Sequence, residues 1–443
     1  MSGVRHPSLE SSNVTRFGAV LLTFVAISAA LRRPIAEAVA LGPQELAIRF
    51  ELVALSDLLY VLAMLPGLVL ITKAWRAFCS PVRMSVTLLL TLGLIALLSA
   101  AWSSNPVTSV QVVGMTGLTT AAVLGLTITY RRDGLLAVLT VTCAVWLVGS
   151  LGALQFPEAW SRRQHSGDQL GADWVGLFHF GNSLGEFAGI TALLALAAVL
   201  TALRSHRWLR AVVFGSLAQA ALLALIESGH TTGSIGLVCA GLATGAVALF
   251  VHSRRQWNKR RPTDRTIGLL LPAATIAGIG VIVLLGDRIS QLLGKPPGLH
   301  RTRFWLEALT GARERPLIGW GWEGYMSDPA YGELFEHWSR LDPHNFFLQV
   351  LLSAGVVAFA LVIAWTLHGL YLCGLAVARG ASTITFVALP IFIIVCLTAT
   401  TIGVFNVYLV ALLALVFVLA GQEAHEHQQS PEVEASPPLP AAS

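Results

Sequence analysis

Charge is what this sequence has least of. Only 12% of its 443 residues are Asp, Glu, Lys or Arg, about half the share usual in a soluble protein. Hydrophobic residues make up 55% and the mean hydropathy is +0.70. That balance excludes a chain of ordinary soluble domains and implies an integral membrane protein. Cysteine is sparse too: Cys79, Cys143, Cys239, Cys373 and Cys396 form no CxxC pair, so neither a disulfide framework nor a metal site is expected. No Asp-x-Asp pair occurs, which argues against a metal-bound nucleotide sugar. No G-x-x-x-x-G-K-[ST] loop occurs either, so ATP-driven work has no visible site. Neither a cofactor nor a metal is expected. The pI near 9.1 does not point to nucleic acid, because most Lys and Arg sit in short connections between apolar runs.

Those runs set the architecture. A hydrocarbon core about 30 Å thick needs about 20 mostly apolar residues per helix. Runs of about that length fall at 16–31, 52–72, 84–101, 110–130, 134–154, 184–203, 210–227, 232–251, 266–286, 344–372, 382–400 and 402–420. The expected fold is therefore all-α, with about twelve transmembrane helices. Arg5 and Arg16 before the first run, with Ser28-Ala29-Ala30 after it, resemble a signal peptide, but an uncleaved first helix is the preferred reading. Basic residues fix the orientation. With the N-terminus inside, the even-numbered connections carry Lys73, Arg76 and Arg83; Arg131 and Arg132; Arg204, Arg207 and Arg210; six residues from Arg254 to Arg265; and Arg379. The short outer connections carry no Lys or Arg. Residues 1–15 then form a cytoplasmic N-terminus, 16–286 hold spans one to nine, 287–343 form a long extracytoplasmic loop, and 344–420 hold spans ten to twelve. The Pro-rich stretch 421–443 reads as a disordered cytoplasmic tail, and 32–51 as an interfacial segment. Within the spans, ionisable residues are few apart from Asp57, near one end of span two.

The long loop carries the chemistry. Asp342-Pro343 reads as an N-cap followed by a first helical residue, which puts His344 in the first turn of span ten at the outer interface. Unpaired N–H groups there favour anions such as phosphate. The same partial charge disfavours imidazolium, so His344 is expected to be neutral and able to accept a proton. Gly355, about three turns on, lies on the same face and permits close approach of a neighbouring helix. Arg301, Arg303, Arg313 and Arg315 suit bidentate phosphate recognition, although Glu307, Glu314 and Glu323 are available to pair with them. Pro316–Tyr325 is a turn-rich aromatic segment, read first as an interfacial belt and second as platforms for sugar rings.

These residues fall in an order that resembles the O-antigen ligase and O-antigen polymerase superfamily of bacterial membrane glycosyltransferases. His344-Asn345, nine residues, then Gly355 is similar to the family's His-Asn-x9-Gly pattern, with Ala358 departing from its last position. Arg303, fifteen residues, then Gly319 resembles the Arg-x15-Gly pattern of the polymerases. Trp174–Glu186 resembles a Gly-x-Phe…Asn-x-Leu segment leading into a span. Many members carry a Ser-Arg element where this chain has Glu227–Gly236 and no Arg, which leaves lipid-phosphate recognition to His230 or a loop arginine.

The resemblance implies a glycosyltransferase-C-like variant in the bacterial inner membrane, with both termini cytoplasmic. It would transfer a glycan from a polyprenyl-diphosphate carrier to a hydroxyl on a glycan, lipid or protein acceptor, by a single inverting displacement without a metal. His344 and Arg303 are the expected catalytic residues; Arg301, Arg315, Asn345, Asn182 and His230 are expected to bind substrate. Membrane lipids are expected partners and nucleic acid is not. Ligase and polymerase both remain open. A transporter or flippase of lipid-linked sugars would show paired halves or buried midplane charges, which this sequence does not display. A non-catalytic partner in envelope assembly is the third reading.

Overall fold

The computed structural model of the protein describes residues 75, 78–129, 132–153, 181–257, 265–278, 299–325, 327–334, 343–398, 400 and 407–429. Spans one and two, the 32–51 segment, Asp57, Asp342 and residues 430–443 lie outside the described residues. Among the described residues the chain is helical throughout, without a strand. Helix α1 is Ser80–Leu98, continued by a 3₁₀ turn at Ser99–Trp102; α2 is Pro106–Thr129, α3 Arg132–Ala153 and α4 Gly181–Arg204. Next come α5 (Trp208–Glu227), α6 (Thr231–Trp257) and the shorter α7 (Arg265–Gly278). The long connection contributes α8 (Leu299–Glu314) and the one-turn α9 (Pro329–Glu333). It is followed by α10 (Phe346–Ala378), α11 (Leu389–Leu397) and α12 (Val407–Gln429).

Eight of the described helices are long and apolar enough to cross a membrane. In hydrocarbon, each backbone N–H and C=O must be satisfied within its own segment, so apolar runs of this length become helices. Burial sorts them into layers. Every residue of α11 is buried, and so is nearly all of Tyr408–Ala420. These two elements form the bundle's centre, with α10, α6 and α4 packed around them. Helices α5 and α6 expose Trp208, Leu209, Val212, Val238 and Leu242, the pattern of helices that face lipid.

The spans differ from expectation where local backbone chemistry intervenes. The described part of span twelve is Val407–Gln429, so part of the stretch expected to be tail is helix. Span eleven is divided: a π-helical turn at Ile384–Ala388 precedes α11. Span ten starts at Phe346, not at Pro343 or His344. Its cap is Asn345, whose Oδ1 accepts from the N–H groups of Phe347 (3.0 Å) and Leu348 (3.1 Å). His344 has φ 44°, a left-handed backbone that cannot continue a helix, so it sits just outside the cap.

The largest departure is at Gly355. Its φ of 80° and ψ of −176° interrupt α10, a conformation almost confined to glycine. The part beyond it, 356–378, is about 34 Å long at 1.5 Å per residue, enough to cross the bilayer alone. Residues 346–354 are therefore free to serve as a separate short helix under the loop.

Candidate active site

The site is built on that break. Where α10 loses its own ladder, the loop supplies a replacement. The N–H groups of Trp320 and Gly321 donate to the carbonyls of Leu352 and Ser353, each at 2.9 Å, and the Val356 N–H donates to the Pro316 carbonyl at 2.7 Å. Irregular backbone at membrane depth is tolerated where it is buried in protein and its polar groups are re-paired in this way. Gly319 and Gly355 are the two residues this junction demands. Gly319 has φ 65°, and a Cβ on it would overlap the Ser353 backbone; a Cβ on Gly355 would overlap the Leu317 carbonyl. The expectation for Gly355 is thus corrected. What approaches it is the backbone of the loop, not a neighbouring helix.

A second seat comes from the connection between α1 and α2. Ser99 Oγ accepts from the Trp322 N–H at 2.9 Å, and Ser103 Oγ and Ser109 Oγ both donate to the Trp322 carbonyl. Ser104 Oγ donates to the Gly324 carbonyl, and the Trp102 indole N–H to the Ile318 carbonyl at 3.1 Å. No motif or charge pattern marks these serines in the sequence. Their density, four in eleven residues from Ser99 to Ser109, was the available signal.

The aromatic segment is neither an interfacial belt nor a sugar platform. Trp320, Trp322, Tyr325 and Tyr331 are all buried, and Trp320, Tyr325 and Tyr331 form a small core with Ala308 and Leu352. Trp320 and Tyr331 meet edge to face with centroids 5.3 Å apart, and the Trp320 indole N–H donates to the Gly311 carbonyl at 2.8 Å. These contacts clamp α8 onto the first part of α10.

Within this frame the predicted residues other than Arg315 fall into two groups. Arg301 and Arg303 lie in the first turns of α8. Phe304, next in the chain, meets the His344 ring with centroids 5.7 Å apart. His344 is exposed and Asn345 is buried as the cap. The α8 start and the His-Asn pair, some forty positions apart in sequence, thus meet in space. Arg315 stands elsewhere: its guanidinium lies 4.0 Å from the Trp320 ring centroid and 3.9 Å from Asp328. Glu323, available to pair with an arginine, accepts from the Gln349 amide at 2.8 Å.

The second group gathers at the starts of α4 and α6. Asn182 is in the first turn of α4. His230 immediately precedes α6 and is 3% exposed, packed so tightly on Gly185 that a Cβ there would overlap its own. Beside Gly185 stands Glu186, 1% exposed, which accepts from the Thr400 hydroxyl and, at 3.2 Å, from the Tyr408 hydroxyl. A buried carboxylate inside a membrane bundle is a functional candidate by default, and the sequence reading did not single it out. The chain direction puts both groups at one end of the bundle, since α11 returns from α10 toward the loop before Thr400 is reached.

Comparison with known proteins adds to this geometry. Residues 218–363 match the O-antigen ligase family. The matched segment runs from α5 into α10 and contains His230, Arg303, Gly319, His344, Asn345 and Gly355, so it bears out the resemblance drawn from the motifs. A curated relative, the exopolysaccharide production protein ExoQ of Rhizobium meliloti (strain 1021), is 25% identical over 202 residues, covering 43% of this chain and 44% of that protein. The alignment thus spans less than half of the relative's length. No solved structure matches the chain.

Proposed function

We propose that this protein is a membrane glycosyltransferase of polysaccharide assembly, similar to the O-antigen ligases. It moves a glycan from a polyprenyl-diphosphate carrier to an acceptor hydroxyl at the extracytoplasmic face of a bacterial inner membrane. The observation that carries this reading is the contact between Phe304 and His344 across the capped, broken helix. It joins the helix start that carries Arg303 to the His344-Asn345 pair, which supports a shared role for the two motifs.

In this reading the acceptor oxygen attacks the anomeric carbon as the bond from that carbon to the carrier's phosphate oxygen breaks. The leaving diphosphate takes the electron pair, and the sugar is inverted. His344 removes the acceptor's proton, a contribution of about 10²–10⁴-fold for a positioned base. Arg303, with Arg301, stabilises the charge that develops on the diphosphate. Arg315, held by a cation–π contact and an ion pair, keeps the loop in place rather than gripping substrate. His230 and Asn182, beside Glu186, form the second wall, where many relatives place an arginine.

A polymerase reading is favoured by the Arg303–Gly319 spacing and by the likeness to an exopolysaccharide production protein. The experiment is turnover of a polyprenyl-diphosphate oligosaccharide by the purified protein with candidate acceptors. Single additions support the ligase and length ladders the polymerase. Transport of labelled lipid-linked sugar with no new glycosidic bond would overturn both.

A further inference from the structure

A different feature lies at the opposite end of the bundle. Where α4 turns into α5, a cavity of about 550 Å³ opens between α3, α4, α5 and the π-helical turn. Its wall is mostly apolar, with Leu136, Leu194, Phe214 and Phe386 among the lining residues. Arg207 and Arg210, both exposed, line it with Ser205 and Ser382, and the buried Thr385 adds a hydroxyl-bearing residue to the wall. Among the described residues no Asp or Glu lines it, and neither arginine has an ion-pair partner. Trp208, between them in sequence, is 66% exposed, as an interfacial anchor is.

Each part of this arrangement narrows the ligand. Two guanidinium groups a turn apart with no protein carboxylate between them suit a phosphate. A free phosphate would gain nothing from the apolar wall behind them, whereas a lipid fills it. The π-helical turn Ile384–Ala388 contributes Thr385 and Phe386 to the lining; such turns concentrate at functional sites. On the basic-residue orientation this end faces the cytoplasm, where the leaflet is anionic and basic pockets between helices collect headgroups. We propose that the cavity is a binding site for an anionic phospholipid, its phosphate between Arg207 and Arg210 and an acyl chain along the apolar wall. The site is separate from the transfer chemistry and stands or falls without it.

The test is lipid retention by the detergent-purified full-length chain, read by native mass spectrometry. Phosphatidylglycerol is compared with phosphatidylcholine of the same acyl chains. At about 1 kcal/mol for each basic residue near a headgroup, two arginines give roughly 30-fold preference for the anionic lipid. The Arg207→Gln/Arg210→Gln pair is expected to remove that preference while leaving phosphatidylcholine retention as it was, and the Arg207→Lys/Arg210→Lys pair to keep most of it. Ala198→Phe, which fills the cavity without touching charge, should lower retention of both lipids. Equal retention of the two lipids by the wild type would overturn the proposal. So would full preference in the Gln pair, unchanged retention in Ala198→Phe, or release of the lipid by excess inorganic phosphate. If the Gln pair does not fold, the Lys pair and Ala198→Phe still decide between these outcomes.

Discussion

Two neighbouring membrane segments break regular helix, and they do so with opposite results. In α10 the break at Gly355 is filled: the loop 316–321 donates and accepts the hydrogen bonds that the helix gives up. Before α11 the π-helical turn at Ile384–Ala388 stays within its own segment, and a cavity lies against it. The first break fixes a loop and, through it, His344 and the start of α8. The second leaves room. An interruption in a membrane helix therefore has no meaning by itself. What occupies the space beside it decides whether it is a joint or a site.

That contrast is broken most severely at Gly355. An alanine there must adopt a backbone conformation costing about 1–3 kcal/mol and must also displace Leu317. Gly355→Ala is expected to lower the thermal unfolding midpoint in detergent and to release the loop to protease, whereas Ile384→Ala, which trims a side chain packed on the core, should lower the midpoint but leave the loop protected. If Gly355→Ala keeps the loop protected, the loop does not depend on the break.

Next in size is the carboxylate that ties Thr400, just past α11, and Tyr408, at the start of α12, to α4. Glu186→Leu leaves the Thr400 and Tyr408 hydroxyls without their buried acceptor, at about 1–3 kcal/mol for each unsatisfied group. Glu186→Gln keeps an acceptor of the same shape and should lose less. A thermal-shift series should therefore rank wild type above Gln and Gln above Leu. Equal midpoints for Gln and Leu would show that hydrogen bonding at this position contributes nothing.

Smaller again is the cap. Asn345→Ala removes two hydrogen bonds from the first turn of α10 and should cost about 1 kcal/mol. Amide exchange is expected to quicken at Phe347 and Leu348 but not beyond Gly355, because the break separates the two parts of the helix. Exchange that quickens along the whole of α10 would contradict that separation. The smallest effect belongs to Arg315→Ala, which loses a half-exposed ion pair and a cation–π contact, together about 1 kcal/mol. Its turnover should stay near wild type. A collapse in turnover without loss of stability would make Arg315 a substrate ligand after all.

The sequence showed the bundle more readily than its joints. Apolar runs are local, so hydropathy located α1 to α6 and α10 to within a turn or two at most ends. The motif spacings picked out His344, Asn345, Gly319 and Gly355, but not why the glycines are needed. Their reason is a pairing between backbones over thirty positions apart, and such a pairing leaves no periodic trace. The Trp and Tyr residues of 320–325 read as a belt because an interfacial belt and a small packed core draw on the same side chains, and only tertiary contact separates them. Glu186 escaped notice because one acid at the start of an apolar run looks like an interfacial residue. Its burial depends on Thr400 and Tyr408, more than two hundred positions away.

In the proposed reaction the junction at Gly355 presents His344 and Arg303 to one substrate. The most direct test is release of polyprenyl diphosphate from a lipid-linked oligosaccharide, with and without acceptor, by wild type, His344→Ala and Arg303→Ala proteins of matched thermal stability. Acceptor-dependent release by the wild type, falling about 10²–10⁴-fold in His344→Ala and at least tenfold in Arg303→Ala, is the predicted result. Release at wild-type rates from His344→Ala would contradict it.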